Sequence, residues 1–224
     1  MNARHVAIVG ATGAVGREFL DVLAARRFPL RSLRLLASPR SAGQRLPFAG
    51  EMLPVEALGP DAFRGVDVAL FSAGGSVSKQ HAAHAVAAGA IVVDNSSAFR
   101  LDDGVPLVVP EVNAGALAGH RGLIANPNCS TILAALALWP LHQAAGLRAV
   151  IAATYQAASG AGQQAMAELR SSTAAVLRGE PAPPPHALPR SLAFNVFPQV
   201  DVFQPDGYTR EEDKLLHELR KILG

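Results

Sequence analysis

The sequence predicts an α/β protein whose first half is a doubly wound domain built on a parallel sheet. Short, continuous apolar runs bounded by polar or turn residues are typical of strands buried on both faces. These runs alternate with segments of helical spacing, which is the pattern of repeated strand–helix units. The predicted strands are 5–9, 33–37, 66–71, 91–94, 107–109 and 123–125, and the predicted helices are 14–25 and 76–88.

The composition excludes several classes of protein. Of 224 residues, 50% are hydrophobic and 17% are charged, which excludes overall disorder. A net charge of +2 without a basic block, together with 5% aromatic residues, argues against nucleic-acid binding. The single cysteine excludes an internal disulfide and a cysteine-based zinc site, and we expect no metal. Without a recognisable signal peptide or membrane span, we expect a cytoplasmic protein that binds no membrane.

The second half of the chain has a different pattern, and we place a domain boundary near Asn128. Residues 1–127 then form the dinucleotide-binding domain, and residues 128–224 form an α+β domain. Thr209 and Glu212 have the spacing of an N-terminal capping box for the final helix. In this half we expect helices at 130–145, 160–179 and 208–223, a strand at 147–156, the longest of the chain, and a proline-rich loop at 180–189.

Three glycines follow the first predicted strand and open the first helix. Gly10 permits a sharp turn, Gly13 permits close approach of a pyrophosphate, and Gly16 permits close helix–sheet packing. The helix N-terminus offers unpaired N–H groups to the anion. The alternative is a tight turn without a ligand. The pattern predicts a Rossmann-type site for a dinucleotide, formed by Gly10, Thr12, Gly13, Ala14, Val15 and Gly16.

The residues after the second predicted strand indicate which dinucleotide is bound. NAD sites usually carry an acidic residue there for the ribose hydroxyls. This chain instead has Ser38, Arg40 and Ser41, whose guanidinium and hydroxyl groups suit the 2′-phosphate of NADP(H). The alternative is that Arg40 is an ordinary solvated loop arginine.

Cys129 lies in the sequence Asn-Pro-Asn-Cys-Ser-Thr, between a strand and an apolar helix. A helix N-terminus favours the thiolate form of a cysteine, which is the form that acts as a nucleophile. A buried structural cysteine is the competing interpretation, and the local sequence leaves both open.

The motifs together resemble those of the aspartate-semialdehyde dehydrogenases, from about residue 5 to the last residue. They occur in the family's order and spacing. The related N-acetyl-glutamyl-phosphate reductases usually carry other residues around the nucleophile, so Asn128-Cys129-Ser130 favours the aspartate enzyme. The segments are GATGAVG, LASPRSAG, FSAGGSVS, VVDNSSAFR, VPEVN, NPNCST, TYQAASGAG, FNVFPQVD and YTREEDK.

The resemblance implies reduction of L-4-aspartyl phosphate to L-aspartate 4-semialdehyde by NADPH through a cysteine thioester, in lysine, threonine and methionine biosynthesis. It implies that Cys129 is the nucleophile and that Gln156 orients the acyl group. Asn128, Arg100 and Lys214 then bind phosphate, and Glu211 binds the substrate's amino group. Ser72, Ala73 and Gly74 match the stretch near the nicotinamide and its ribose. A homodimer or a dimer of dimers is the implied assembly.

Taken alone, these residues have simpler interpretations. Arg100 is then a surface cation, and Gln156 closes a hydrogen-bond network in the core. Glu211 is then a partner of the helix dipole, and Lys214 lies on a solvated helix face.

One family motif has no counterpart in these 224 residues. The acid/base histidine and the arginine for the substrate carboxylate follow a strand motif that is missing here, and Arg190 is not that arginine. None of the seven histidines has the matching context, and His217 is better interpreted as an ordinary helix-face residue. We therefore expect a truncated product, a partial reading frame or an engineered fragment, with an incomplete catalytic and dimerisation domain. The alternatives are an NADP-binding fragment without turnover and an N-acetyl-glutamyl-phosphate reductase-like enzyme.

Overall fold

The computed structural model describes residues 2–224. The chain divides into two compact units. The first contains the residues up to Ala149 together with Asp213–Gly224, and the second is Val150–Glu212. This division follows spatial compactness, and the predicted boundary near Asn128 stays a prediction.

The first unit contains a seven-stranded sheet in the order β3-β4-β2-β1-β5-β6-β7. All neighbouring strands are parallel except β3 and β4, which are antiparallel. The strand order reverses at β1, which lies between β2 and β5, so the predicted doubly wound fold is confirmed. The strands are β1 (Arg4–Val9), β2 (Leu30–Ala37), β3 (Arg45–Phe48), β4 (Glu51–Ala57), β5 (Val68–Phe71), β6 (Ile91–Asp94) and β7 (Leu123–Ala125).

The five predicted helices are present to within a few residues, and the short helix α3 was not predicted. Helix α4 contains Pro140, and a 3₁₀ turn over Ala158–Ala161 precedes α5. The helices are α1 (Ala14–Ala25), α2 (Gly75–Ala87), α3 (Pro110–Asn113), α4 (Cys129–Ala145), α5 (Gln163–Leu177) and α6 (Arg210–Leu223).

Alternating side chains of the central strands fill two cores, one on each face of the sheet. Val9 and Phe71 pack into the cluster that includes Ala82 of α2. Ile8 packs with Leu20 of α1 on the other face. A third cluster joins α4 to the end of α6 through Ala135 and Ile222. Burial on both faces explains why these strands are continuously apolar in sequence.

The β3–β4 hairpin was not predicted from the sequence. Its turn consists of Ala49 and Gly50, which both have positive φ, at 49° and 91°. Two such residues suit the twist of a two-residue hairpin. Pro47 and Pro54 lie in these strands. Proline is tolerated there because Pro47 is in the edge strand and Pro54 precedes the residues of β4 that pair with β2.

Two predicted strands are wrong. Residues 107–109 form a single bridge, from Leu107 to Ala125, rather than a strand. Residues 147–156 form no strand, because a strand needs a hydrogen-bonded neighbour and no described residue pairs with them. Ile151 and Tyr155 in this stretch are exposed.

In the second unit, the predicted capping box is present. The Glu212 carboxylate accepts hydrogen bonds from the backbone N–H and the hydroxyl of Thr209, both at 2.7 Å. The backbone N–H of Glu212 donates in return to the Thr209 hydroxyl at 3.3 Å. These bonds lower the pKa of the Glu212 carboxyl, because they favour its charged form.

Candidate active site

The glycine loop lies where the strand order of the sheet reverses, which is where open α/β sheets bind ligands. Gly10 has φ of 88°, and a Cβ there would lie 2.4 Å from the carbonyl oxygen of Ser72. A Cβ on Gly16 would lie 2.2 Å from the carbonyl oxygen of Gly10. The loop after β1 therefore packs directly on the loop after β5. Because these positions are glycines, no side chain covers the backbone where α1 begins. This shape fits the close approach of a dinucleotide pyrophosphate.

The second loop of this edge contains Ser72, Ala73 and Gly74. Gly74 has φ of 89° and is the N-cap of α2, so a second helix begins beside the glycine loop. The amide of Asn95, which follows β6, donates to the Ser72 hydroxyl at 3.4 Å. The structure thus brings together the two loops that the sequence assigned to the cofactor.

Arg40 belongs to a 3₁₀ turn, Pro39–Ser41, that follows β2. The side chains of Ser38 and Arg40 are exposed, and Ser41 is half-buried. The backbone N–H of Ser41 donates to the Ser38 carbonyl at 2.9 Å. Within residues 2–224 the guanidinium of Arg40 has no hydrogen-bond partner, so its donors remain accessible to an anion.

Cys129 is the first residue of α4, and its side chain is exposed. The alternative of a buried structural cysteine is therefore wrong. Asn128 caps the helix, because its side-chain oxygen accepts from the backbone N–H groups of Ser130 at 2.9 Å and Thr131 at 3.3 Å. An exposed thiol at a capped helix N-terminus has the environment of a nucleophile.

A chain of amide side chains connects the Cys129 loop to the cofactor loops. The amide of Asn126, which follows β7, donates to the side-chain oxygen of Asn95 at 2.8 Å. Asn95 in turn donates to Ser72. The ends of β5, β6 and β7 are thereby fixed relative to one another at one edge of the sheet, and Cys129 follows three residues after Asn126.

Arg100 is buried, with 7% of its surface exposed, so the alternative of a surface cation is wrong. Its Nε donates to the carbonyl of Asn126 and its Nη2 to the carbonyl of Asn95, each at 2.9 Å. Its Nη1 donates to the carboxylate of Glu218 at 3.0 Å. Arg100 therefore has three internal partners, and one of them, Asn126, lies three residues before Cys129.

Lys221 also attaches α6 to this region. Its Nζ donates to the carbonyl oxygens of Arg100 and Asp102, both at 2.9 Å. Partial burial lowers the pKa of Lys221, and the charges of Asp102 and Asp103 oppose that shift. Lys214, assigned by resemblance to phosphate, is a half-buried residue earlier on the same helix.

Gln156 and Glu211 lie in the second unit and contact each other. The Gln156 amide donates to the Glu211 carboxylate at 3.0 Å, and the Thr154 hydroxyl donates to the Gln156 oxygen at 3.2 Å. Glu211 is buried, with 9% exposed. The structure therefore pairs the two residues to which the resemblance assigns the acyl group and the amino group.

Two buried acidic residues were not identified from the sequence. Asp94, at the end of β6, accepts from the hydroxyls of Ser78 and Ser96 at 2.7 Å. Glu218 accepts from Arg100 and is 1% exposed. The signal for Glu218 was its position one turn before Ile222, on the apolar stripe of an amphipathic helix.

His217 lies on α6 and is 3.1 Å from the carboxylate of Asp213, its neighbour one turn earlier. The side chain is about half exposed, which agrees with a helix-face residue. Among the residues from 2 to 224, no group of acidic, histidine and cysteine side chains is arranged to hold a metal ion. None of the helices in that range is long and apolar enough to cross a membrane.

Comparisons with known proteins place the chain in a family. The model of the semialdehyde dehydrogenase NAD-binding domain matches residues 5–120, and the model of the semialdehyde dehydrogenase dimerisation domain matches residues 138–224. The aspartate-semialdehyde dehydrogenases of Synechocystis sp. and Bacillus subtilis are 53% and 52% identical to the chain over 220 and 226 residues. Each alignment covers 98% of this chain and 65% of the relative.

A solved structure gives the same result. The crystal structure of aspartate semialdehyde dehydrogenase II from Vibrio cholerae, complexed with ASA, matches with a TM-score of 0.95 and 45% identity. The match covers 100% of this chain and 67% of that one. The chain thus spans about two thirds of the length of the relatives it matches, and it belongs to the aspartate-semialdehyde dehydrogenase family.

Proposed function

We propose that the chain carries the dinucleotide site and the nucleophile of an aspartate-semialdehyde dehydrogenase. The observation that supports this most directly is the hydrogen-bonded series Ser72–Asn95–Asn126, which connects the cofactor loop to the loop of Cys129. An enzyme that passes a hydride to an acyl group on a thiol needs these two elements at one edge of the sheet. The reaction is the reductive dephosphorylation of L-4-aspartyl phosphate to L-aspartate 4-semialdehyde.

The exposure of Cys129 at the start of a helix supports its proposed role as the nucleophile. Its thiolate attacks the acyl carbon of the aspartyl phosphate, the bond from that carbon to the phosphate oxygen breaks, and phosphate leaves. The product is a thioester on Cys129. NADPH, when bound, supplies the hydride that reduces this thioester. Release of the semialdehyde then returns the sulfur as a thiolate.

Cations and N–H donors surround the acyl phosphate in this proposal. Arg100, Asn128 and Lys214 bind the phosphate dianion, as charge-assisted hydrogen bonds favour. Gln156 orients the acyl group, and Glu211 binds the substrate's amino group. Crystals of the Vibrio cholerae relative with ASA support the choice of substrate.

The cofactor proposed is NADP(H). The backbone of the glycine loop, which carries no side chain at Gly10, Gly13 and Gly16, accommodates the pyrophosphate. The exposed guanidinium of Arg40, between Ser38 and Ser41, suits the 2′-phosphate. Thr12, Ala14 and Val15 complete the glycine loop, and Ser72, Ala73 and Gly74 lie on the nicotinamide side.

The domain assignment is part of the proposal, with residues 1–127 binding NADP and residues 128–224 forming part of the catalytic and dimerisation domain. The two matched family segments, which lie on either side of residue 128, support it. A homodimer in the cytoplasm is the expected state of the whole enzyme.

The test is the reverse reaction, in which aspartate semialdehyde and inorganic phosphate reduce NADP⁺. We expect turnover that requires phosphate and disappears in Cys129→Ala, while NADPH binding persists in that variant. Turnover that survives in Cys129→Ala would refute the role of the thiol. The same assay with N-acetyl-glutamate semialdehyde distinguishes the related reductase.

A second candidate is NADPH binding without turnover. This candidate applies to the 224 residues taken on their own, which do not contain the family's histidine motif, because loss of a general acid/base costs about 10²–10⁴ in rate. Saturable NADPH fluorescence without product formation in a concentrated, homogeneous preparation would support this candidate over the enzyme.

A further inference from the structure

Glu218 connects two parts of the site that are far apart in sequence. One carboxylate oxygen accepts from Nη1 of Arg100 at 3.0 Å, and the other accepts from the backbone N–H of Asn128 at 2.6 Å. The residue pairs are separated by 118 and 90 positions. One buried side chain therefore holds both the guanidinium and the residue that precedes Cys129.

Because the Arg100–Glu218 ion pair is buried, its geometry is tightly constrained. The side chains of Arg100 and Glu218 are 9% and 2% exposed. A buried charge that loses its partner is strongly unfavourable, so both partners are constrained to this arrangement. The two carbonyl acceptors of Arg100, on Asn95 and Asn126, fix the plane of the guanidinium further. Three of its five N–H donors are thus used, and the other two keep a fixed direction.

We propose that Glu218 is a positioning residue that holds the guanidinium of Arg100 and the N-terminus of the Cys129 helix in one fixed arrangement. This inference rests on the proposed function, in which Arg100 binds the phosphate of the acyl phosphate that Cys129 attacks. Glu218 touches neither substrate nor cofactor in this scheme, and it acts through its two neighbours. An anion bound by Arg100 then lies at a constant distance from the thiol.

The chain offers a set of matched variants. Glu218→Gln keeps the shape but replaces one acceptor oxygen with an N–H₂ group, which faces either Arg100 or the Asn128 N–H, both donors. Glu218→Asp keeps the charge and both acceptors on a shorter side chain. Glu180→Gln is the control, because it removes an exposed ion pair, with Arg178, by the same chemical change.

The single cysteine provides a direct probe. Cys129 is the only thiol in the sequence, so the rate at which iodoacetamide alkylates the thiol reports the accessibility and charge of this group. We expect inorganic phosphate bound between Arg100 and the thiol to slow the alkylation of Cys129. The measured quantity is the phosphate concentration that gives half-maximal protection, recorded together with the melting temperature of each variant.

We expect phosphate to protect the wild-type protein and Glu180→Gln equally. Glu218→Gln should need at least about ten times more phosphate, the loss expected for one hydrogen bond to a charged group, at a temperature where it is fully folded. For Glu218→Asp, the phosphate concentration that gives half-maximal protection should lie between those of the wild type and Glu218→Gln, because aspartate keeps both acceptor oxygens on a shorter side chain. If Glu218→Gln does not fold, Glu218→Asp alone decides, with a weaker protection than wild type as the supporting result.

Equal protection of the wild type and both Glu218 variants would overturn the positioning role and leave the proposed function intact. Absence of protection in the wild-type protein would overturn the phosphate role of Arg100, and the positioning role with it.

Discussion

Gly16 packs so closely on Gly10 that a methyl group on its α-carbon would lie 2.2 Å from the Gly10 carbonyl oxygen. We therefore expect Gly16→Ala to lower the stability by about 1–3 kcal/mol, the usual cost of overpacking, and to weaken NADPH binding. Thermal unfolding and fluorescence titration measure the two effects. Gly115→Ala is the control, because open space surrounds that position. Similar behaviour of the two variants would contradict the close packing.

Arg40 offers a test of cofactor choice. Arg40→Gln removes the cation proposed for the 2′-phosphate, so the affinity for NADPH should fall at least about tenfold, as for a lost charged hydrogen bond, while NADH binding stays the same. Titration with both cofactors measures the ratio. Arg45→Gln is the matched control, since this exposed arginine binds the carbonyl of Met52. Equal losses for NADPH and NADH would exclude recognition of the 2′-phosphate by Arg40.

Asp94 is fully buried and joins α2 to the loop after β6. It accepts from the Ser78 hydroxyl and from the backbone N–H and hydroxyl of Ser96. Asp94→Asn places an N–H₂ group among donors, and the stability should fall by about 1–3 kcal/mol, the cost of an unsatisfied buried group. Chemical denaturation measures it. An unchanged unfolding midpoint would mean that the network tolerates either side chain.

We expect His81 to make the stability of the fold depend on pH. The side chain is buried in α2, and its Nδ1 has no hydrogen-bond partner within residues 2–224. Burial, and then the nearby His84, lower the pKa of His81 below its ordinary value of 6.5. As pH falls below 6.5, the unfolded chain takes up the proton first, so the stability contributed by neutral His81 is lost toward acid.

The expected result is a smaller drop in melting temperature between pH 7.5 and pH 5.5 for His81→Gln than for wild type. Gln80→Ala, an exposed change on the same helix that removes no titratable group, serves as the control and should follow the wild-type profile. A wild-type acid profile in His81→Gln would assign the pH dependence to other groups.

Much of the fold was predictable because its central strands are buried on both faces and therefore appear in the sequence as apolar runs. The hairpin was not, because proline is unfavourable inside most strands. Pro47 lies in the edge strand β3, and Pro54 comes just before residues 55–57, the part of β4 that pairs with β2. The stretch 147–156 is the opposite case. Its β-branched and aromatic residues favour a strand, but a strand requires a neighbour, and local sequence carries no information about that neighbour.

In the site too, features set by local sequence were predictable and features set by distant residues were not. Although the local sequence left the exposure of Cys129 open, the strand–helix turns that carry Cys129 and the glycine loop were identifiable from it. Glu218 and Asp94 were not, because a charged residue on a helix or at a strand end usually lies in water. The apolar stripe of α6 is a signal that Glu218 is buried, but its partner Arg100 is 118 residues away and is known only from the structure.

The contact between Arg100 and Glu218 also constrains how the chain folds. The first unit is discontinuous, since residues 150–212 intervene between its two segments. Closing such a long loop carries an entropic cost that must be met before the ion pair forms, and non-local contacts of this kind slow folding. During synthesis on the ribosome, the guanidinium therefore lacks its counter-ion until α6 has emerged. The loop that precedes Cys129 is bound by Glu218 only in that late step.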